Sequence, residues 1–320
     1  MKQAFKQINF SKDRLAVILA ANRVIEEYAA AGYDMTVRQV FYQMIAGDLL
    51  PDSWLERVES KEGWILTKNT PRNYSRLGDC IDDGRMCGII DWAHIVDRTR
   101  SLQSLAHWND AADRIRSAWR SFRIDRWENQ PIRPEIWVEK EALEGVLARV
   151  CQRNDVPFFC CRGYASQTSM KEAADRLLRH LDNGQDVIIF HLGDHDPSGM
   201  DMTRDIGDRL LIFMREAGIQ IERLALNWSQ IELYNPPPNF AKQTDSRFKI
   251  YQAEFGDESW ELDALQPQVL DALIEVAIHS VRDDDLWTER AKEENEYDKL
   301  LRSAYLHWDD VAKFLKRKTG

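Results

Sequence analysis

Two acidic motifs, each directly after a short apolar run, carry the residue types best suited to chemistry in this sequence. Glu139 follows Ile136-Trp137-Val138, while Asp194 and Asp196 follow an apolar run that ends at Leu192. If both runs are parallel strands of one sheet, their carboxyl ends meet at the edge where open α/β sheets bind ligands. Carboxylates without a cluster of Cys or His ligands suit Mg²⁺ or Mn²⁺, with phosphate and water completing the shell. The motifs therefore predict phosphoryl-transfer chemistry on a phosphodiester.

The acidic residues have two other interpretations. Asp196-Pro197-Ser198 is a helix-start signal, so capping alone would explain Asp196. Capping explains neither Asp194 nor Glu139, and for this reason the metal site is favoured. His191 and His195 flank the aspartates, but they fall on a predicted strand end and turn, which disfavours a zinc site.

A second candidate site lies on a short helix predicted over residues 37–46. Arg38 and Tyr42 are four residues apart, so they lie one above the other on a face away from the helix's apolar stripe. On an open face, a tyrosine hydroxyl beside a guanidinium can attack a phosphodiester, with the arginine holding the phosphate and favouring the phenolate. The same spacing also fits a surface tyrosine that merely stacks with an arginine, and the residues alone leave both interpretations open.

The charge distribution permits a nucleic-acid partner. The chain has 320 residues and a net charge of −10, yet residues 1–125 carry 18 Lys/Arg and 17 Asp/Glu, so the acidic excess lies beyond them. Arginine is the preferred residue for bidentate phosphate contacts. An arginine-dense segment at 98–126 is therefore a candidate DNA-binding surface, although a solvated helix face with ion pairs fits equally well. The arginines assigned to DNA are Arg98, Arg100, Arg116, Arg120 and Arg123.

The elements that must position these residues change character near Pro131–Pro134. Before this point, helices predicted after Ser11 and after Thr36 are joined by a tight turn, as in helix-turn-helix and winged-helix modules. Beyond it, strands predicted at 135–139, 157–161, 186–192 and 219–226 alternate with helices, which indicates a parallel sheet with right-handed crossovers. We therefore predict two domains, 1–130 and 131–320, the second of which ends in a charged helical tail.

The acidic motifs and the tyrosine helix together resemble a known family. The residues around Glu139 (Val-Glu-Lys-Glu-Ala-Leu) and the run Gly-Asp-His-Asp-Pro-Ser-Gly at 193–199 resemble the Toprim domain of topoisomerases and primases. The Asp-x-Asp-Pro-x-Gly form is similar to that of the A subunit of DNA topoisomerase VI and its relative, the meiotic double-strand-break transesterase. In that family the nucleophilic tyrosine lies in an Arg-x-x-[Tyr/Phe]-Tyr pattern, which residues 38–42 match. Residues 162–166 and 260–265 resemble a glycine-containing loop and a late acidic segment of the same family.

The resemblance implies a fold and an activity. The fold is mainly α plus α/β, with an N-terminal winged-helix-like domain followed by a Rossmann-like Toprim domain with a parallel sheet. Tyr42 is then the nucleophile and forms a 5′-phosphotyrosyl link, Arg38 holds the phosphate, and Mg²⁺ or Mn²⁺ is bound by Glu139, Asp194 and Asp196. A homodimer would cut both strands of double-stranded DNA, with each tyrosine meeting the metal site of the other protomer.

Partners and location follow from what the sequence contains and lacks. It has no G-x-x-x-x-G-K-[ST] loop, so the resemblance implies a separate ATPase subunit of the B type. No apolar run approaches the length of a membrane span, and the first residues lack a signal-peptide apolar region, so we expect a cytoplasmic, nucleoid-associated protein and no membrane partner. Two alternatives stay open. They are a metal-dependent Toprim nuclease without a covalent intermediate, for example in phage or plasmid defence, and a non-catalytic DNA-binding subunit.

Overall fold

A cluster of helices forms the first part of the structure. The computed structural model describes residues 2–60, 63–95, 105–214 and 219–319. Helix α1 begins after the capping residue Ser11, and the side chain of Thr36 caps α2 as the sequence predicts. The apolar faces of these helices and of α3 pack into one core, which extends from Val17 to Ile95. Its elements are α1 (Lys12–Ala30), α2 (Val37–Ala46), the antiparallel strands β1 (Glu56–Ser60) and β2 (Gly63–Thr67), and α3 (Pro71–Met86).

The second part is built on a parallel sheet of four strands in the order β4-β3-β5-β6. The predicted parallel α/β architecture is therefore confirmed. Helices on both faces cover the sheet, and its two central strands, β3 and β5, are largely buried on both sides. Its elements are β3 (Ile132–Val138), α5 (Glu144–Arg153), β4 (Phe158–Cys160), α6 (Gln167–Asp182), β5 (Asp186–Leu192), α7 (Pro197–Met214) and β6 (Ile219–Ala225), with α4 (Ala111–Ser121) preceding them.

The strand order creates a switch point between β3 and β5. The chain leaves β3 to form β4 on one side of it and returns to form β5 on the other side. The two crossovers diverge there, and a crevice opens at the carboxyl ends of the two strands. Val138 pairs with Leu192 at the last register position, so the residues that follow both strands enter the crevice together.

The remaining elements follow β6, cover the carboxyl edge of the sheet and form the C-terminal helices. A 3₁₀ turn at Leu262–Ala264 lies against α2 and thereby joins the two parts of the molecule. The predicted boundary at residue 130 assigns α4 to the N-terminal domain, but α4 packs against α11 of the C-terminal tail. These later elements are α8 (Trp228–Tyr234), β7 (Asn239–Phe240), α9 (Phe248–Phe255), β8 (Glu258–Ser259), α10 (Pro267–Ser280), α11 (Asp284–Leu306) and α12 (Trp308–Thr319).

Two further features concern the membrane expectation and the cysteines. Across the part of the chain that the structure describes, no helix is long and apolar enough to cross a membrane. Cys80, Cys151 and Cys161 are buried and form no disulfide. Burial raises the pKa of the Cys151 and Cys161 thiols to about 12, so neither is a reactive thiolate near neutral pH.

Candidate active site at the carboxyl edge of the sheet

The main chain brings Glu139 and Asp194 together at the switch point. The Glu139 amide donates to the Leu192 carbonyl at 2.9 Å, which continues the ladder between β3 and β5 by one step. The Glu139 carboxylate turns back across the crevice, and its Oε2 accepts a hydrogen bond from the Asp194 amide at 3.0 Å. A Cβ at position 193 would lie 3.1 Å from Glu139 Oε2, so a larger residue would press against this carboxylate. The predicted meeting of the two motifs is confirmed.

A buried arginine and a helix cap hold the turn that carries the two aspartates. Arg223, on β6, donates to the carbonyls of Gly193 and Asp194 at 3.0 and 2.6 Å. Burial lowers the pKa of Arg223 to about 10, and the surrounding carboxylates offset part of that cost. Asp196 Oδ1 accepts from the Gly199 amide at 2.6 Å and so caps α7. The capping interpretation is thus correct for Asp196, as one of its functions.

Each of the three carboxylates has one oxygen engaged. Asp194 Oδ1 accepts from the Leu262 amide at 2.8 Å and lies 2.9 Å from Lys140 Nζ. For Glu139, Asp194 and Asp196 alike, the contacts within the described residues use one oxygen and leave the second without a donor. Burial raises the pKa of Glu139, and the nearby charge of Asp196 raises it further; burial also raises the pKa of Asp194 well above its usual range. Buried, mutually repelling carboxylates favour a bound cation.

The donor set fits a hard divalent cation, although the side chains are not arranged around one. Among residues 2–60, 63–95, 105–214 and 219–319, no three Asp, Glu, His or Cys side chains surround a common point as metal ligands do. The ammonium of Lys140 provides positive charge at Asp194 instead. Mg²⁺ is commonly held by only one or two carboxylates together with waters and a substrate phosphate. The oxygens left free on these carboxylates have that chemistry.

The 3₁₀ turn adds two further acids, which link Lys140 to Arg38. Asp263 is completely buried, and its Oδ1 and Oδ2 accept from Lys140 Nζ at 3.1 Å and Arg38 Nε at 2.9 Å. Glu261 Oε2 contacts the same two cations, with Arg38 Nη2 at 2.8 Å. Burial alone would lower the pKa of Lys140, but Asp263, Asp194 and Glu261 raise it, so the ammonium stays charged. This ion-pair bridge crosses from the sheet to α2.

Tyr42 lies at the far end of this bridge. Its hydroxyl accepts hydrogen bonds from Arg38 Nη2 at 3.2 Å and Asn239 Nδ2 at 3.3 Å. The expectation that Tyr42 occupies an open face is wrong, since the residue is only 5% exposed. Burial and the charge of Glu261 raise the pKa of Tyr42 to about 12, and the guanidinium of Arg38 only partly opposes them. The phenol is therefore protonated in this state.

Two adjoining clefts share one wall. The acidic cleft, of about 480 Å³, is lined by Arg38, Glu139, Lys140, Asp194, Asp196 and Glu261, among others. The tyrosine cleft, of about 260 Å³, is lined by Arg38, Tyr42, Asn69, Tyr74, Asn239 and Glu261, among others. Arg38 and Glu261 line both clefts and separate them. Tyr42 and the carboxylates of the same chain therefore lie in adjoining clefts.

Three of the five arginines predicted to bind DNA lie in the part of the chain that the structure describes. Arg98 and Arg100 lie outside the described residues. Arg116, on α4, pairs with Asp113, and Arg120 and Arg123 are exposed. None of the three lines the acidic or the tyrosine cleft, and their proposed contact with DNA stays a prediction.

Sequence reasoning missed several residues of the site. The sequence pattern assigns no role to Lys140, and it identifies residues 260–265 only as a segment that resembles the family, although Glu261 and Asp263 connect the two parts of the molecule. Asn239 follows three prolines, a pattern that indicates an exposed loop, yet it binds the hydroxyl of Tyr42. Strict alternation of acidic and apolar residues at Glu261-Leu262-Asp263 was the one available signal. Its meaning depended on contacts more than 200 residues away in sequence.

Comparisons with protein-family models, with curated proteins and with solved structures each found no match for this chain.

Proposed function

We propose that this chain is a Mg²⁺-dependent DNA-cleaving transesterase similar to the A subunit of topoisomerase VI. In this proposal α1, α2 and the β1–β2 hairpin serve as a winged-helix-like module, and the parallel sheet serves as a Toprim domain. One observation carries the proposal: Tyr42 and the strand-end carboxylates open onto adjoining clefts whose shared wall is formed by Arg38 and Glu261. A phosphodiester lying across that wall would contact both a nucleophile and the carboxylates.

The residues have separable roles in this reaction. Tyr42 attacks a backbone phosphate and becomes joined to the 5′ end, while Arg38, whose side chain is 40% exposed, turns from its carboxylate partners to the phosphate. Glu139, Asp194 and Asp196 would hold Mg²⁺ or Mn²⁺, which when bound stabilises charge on the phosphate and the leaving 3′ oxygen. Arg223 keeps the aspartate turn rigid through its bonds to the carbonyls.

The partners are proposed on the same basis. Double-strand cleavage needs two such sites, so a homodimer on double-stranded DNA is the smallest competent assembly. The bridge from Lys140 to Arg38 joins Tyr42 to the carboxylates of its own chain, and a dimer that exchanges tyrosines between protomers must open this bridge. Strand passage would additionally require the separate ATPase subunit.

A metal-dependent nuclease without a covalent intermediate is the second candidate. The burial of Tyr42, with its hydroxyl already bonded to Arg38 and Asn239, favours it, because a nucleophile must reach the phosphate. In that reaction water attacks in the acidic cleft, and Tyr42 only supports α2.

Metal binding can be tested apart from activity. We expect Mg²⁺ or Mn²⁺ to raise the melting temperature of the parent chain but not that of Asp196→Asn, in which the capping oxygen is kept and the charge removed. Glu172→Gln, an exposed change on α6, is the matched control. Equal shifts in all three proteins would contradict the metal site.

Cleavage should be tested in an assay that ends with denaturation, which traps any covalent adduct between protein and DNA. The dimer is incubated with supercoiled DNA and Mg²⁺, then denatured, and the DNA is examined for breaks and attached protein. The transesterase gives breaks whose 5′ ends carry protein, and a chelator abolishes them. Breaks without attached protein would contradict the transesterase and support the metal-dependent nuclease. DNA that stays uncut with every metal would contradict both enzymes and leave a DNA-binding subunit as the remaining function.

A further inference from the structure

Glu261 and the hydroxyl of Tyr42 share two hydrogen-bond donors. Arg38 Nη2 lies 3.2 Å from Tyr42 Oη and 2.8 Å from Glu261 Oε2. Asn239 Nδ2 lies 3.3 Å from the same hydroxyl and 3.4 Å from Glu261 Oε1. The carboxylate and the phenol are therefore held on either side of one pair of donors. Two groups that share their donors in this way lie close enough for a proton to pass between them through an intervening water.

The other carboxylates near Tyr42 are less suited to take up its proton. Asp263 is completely buried, and Arg38 and Lys140 each bind one of its two oxygens. The three strand-end carboxylates lie beyond Lys140 in the acidic cleft. Glu261 binds the same two cations, but its side chain is 24% exposed and it lines both clefts, so water and substrate can reach it.

We propose that Glu261 is the general base that removes the proton from Tyr42. The inference rests on the proposed function, because it assumes that Tyr42 is the nucleophile. The proton leaves Tyr42 Oη for Glu261, directly or through one water, as the Oη–P bond forms and the bond between phosphorus and the 3′ oxygen breaks. The 3′ oxygen leaves with the electron pair and takes a proton from water, and Glu261 returns its proton to solvent. In religation the 3′ hydroxyl loses its proton to water as its oxygen bonds to phosphorus and the Oη–P bond breaks, and Glu261, reprotonated from solvent, delivers a proton to the departing phenolate.

Burial alone would raise the pKa of Glu261, but Lys140 and Arg38 lower it, so this carboxylate is charged and able to accept a proton. A phenol buried as deeply as that of Tyr42 resists ionisation, so attack requires a base at hand. Arg38 contacts both partners and would stabilise the negative charge wherever it resides during the transfer. Asn239 is the positioning residue of the pair, because its amide fixes the phenol relative to the carboxylate.

The test uses Glu261→Gln combined with a more acidic phenol. The amide keeps an oxygen for Arg38, so the bridge is largely preserved, but it cannot accept the proton. We expect adduct formation to slow by about 10²–10³-fold while DNA binding is retained. Installing 3,5-difluorotyrosine at position 42 should then restore at least about tenfold in the Gln variant, since a more acidic phenol depends less on a base. Glu258→Gln, an exposed change on β8, is the matched control and should keep the parent rate.

The outcomes separate the base from the proposed function. A Gln variant within about threefold of the parent rate overturns the inference, and so does a defect that difluorotyrosine leaves unchanged, because a residue that only holds Arg38 gives no such rescue. If the Gln variant does not fold, Glu261→Asp replaces it, with the same expected slowing and rescue. Tyr42→Phe separates the proposed function from the role of Glu261. If this variant still cuts DNA, the proposed function fails. If it is inactive, the results for the Glu261 variants concern the base alone.

Discussion

The carboxylates of the acidic cleft take their positions from the main chain, whereas Tyr42 and Arg38 take theirs from side chains distant in sequence. Glu139 and Asp194 follow paired strands, and backbone groups hold their carboxylates at 3.0 and 2.8 Å. Arg38 is instead held by Asp263, which is 225 residues away, and Tyr42 by Asn239, which is 197 residues away. The contact of Glu139 with the Asp194 amide forms when the sheet forms, whereas the contacts of Arg38 and Tyr42 form only when the two parts of the molecule dock.

The two sides of the site therefore differ in how easily their contacts break. Main-chain bonds within a buried sheet are insensitive to salt and break only with the fold. The ion pairs of Arg38 are partly exposed, so salt and a competing phosphate weaken them. If the proposed substrate binds here, its phosphate would displace the carboxylates on the tyrosine side while the acidic side stays rigid. A substitution on one side should therefore leave the contacts of the other side unchanged.

The largest effect is expected on the rigid side. Glu139→Gln keeps the oxygen that accepts from the Asp194 amide but removes a charge that the metal needs. We expect DNA cleavage in Mg²⁺ to fall by at least about 10²–10³-fold, with no change in the circular dichroism spectrum. The measurement is the rate of break formation, with Glu172→Gln as control. Cleavage at the parent rate in Glu139→Gln, or in excess chelator, would remove the metal from the account.

A smaller effect on stability is expected when the bridge is broken from the tyrosine side. Arg38→Ala leaves the buried carboxylate of Asp263 with Lys140 as its remaining partner. We expect the free energy of unfolding to fall by about 2 kcal/mol, less than for a fully buried pair because Arg38 is partly exposed. Urea unfolding measures it, and Arg38→Lys should recover part of the loss. A change below about 0.5 kcal/mol would mean that the bridge does not hold α2 in place.

The smallest effect is a pH dependence confined to the rigid side. Burial, with the charge of Arg223 adding to it, lowers the pKa of His191 to about 3. Its unfolded-state value is about 6.5, so the unfolded chain binds the proton first and stability falls as the pH drops from about 6.5 towards 3. His191→Asn keeps a partner for the Thr203 hydroxyl and removes this titration. We expect the melting temperature of the variant to depend less on pH over that range. Identical slopes would contradict the buried neutral imidazole.

The acidic side was predictable from sequence because its cause is local. A strand that ends in Glu139 and another that ends in Asp194 converge wherever parallel strands pair, and the apolar runs already indicated that pairing. The parallel sheet and the boundaries of α2 were predictable for the same reason.

The tyrosine side was only half predictable. The spacing of Arg38 and Tyr42 placed them together, as the structure shows. Their burial depends on the 3₁₀ turn and on Asn239, which no local pattern connects to α2. The sequence signal for Tyr42 as a surface residue was real but was overridden by the docking of a segment about 200 residues later. Such contacts have no periodicity to reveal them.

In the proposed reaction, Tyr42 is the residue that becomes joined to DNA. The most direct measurement digests the trapped adduct with nuclease and protease and locates the nucleotide on a peptide by mass spectrometry. We expect a dinucleotide or shorter nucleotide remnant on the peptide that contains Tyr42, and no nucleotide on any peptide of the Tyr42→Phe variant. Attachment at Tyr164, which lies on the loop beside the acidic cleft, or cleavage by Tyr42→Phe at the parent rate, would contradict it.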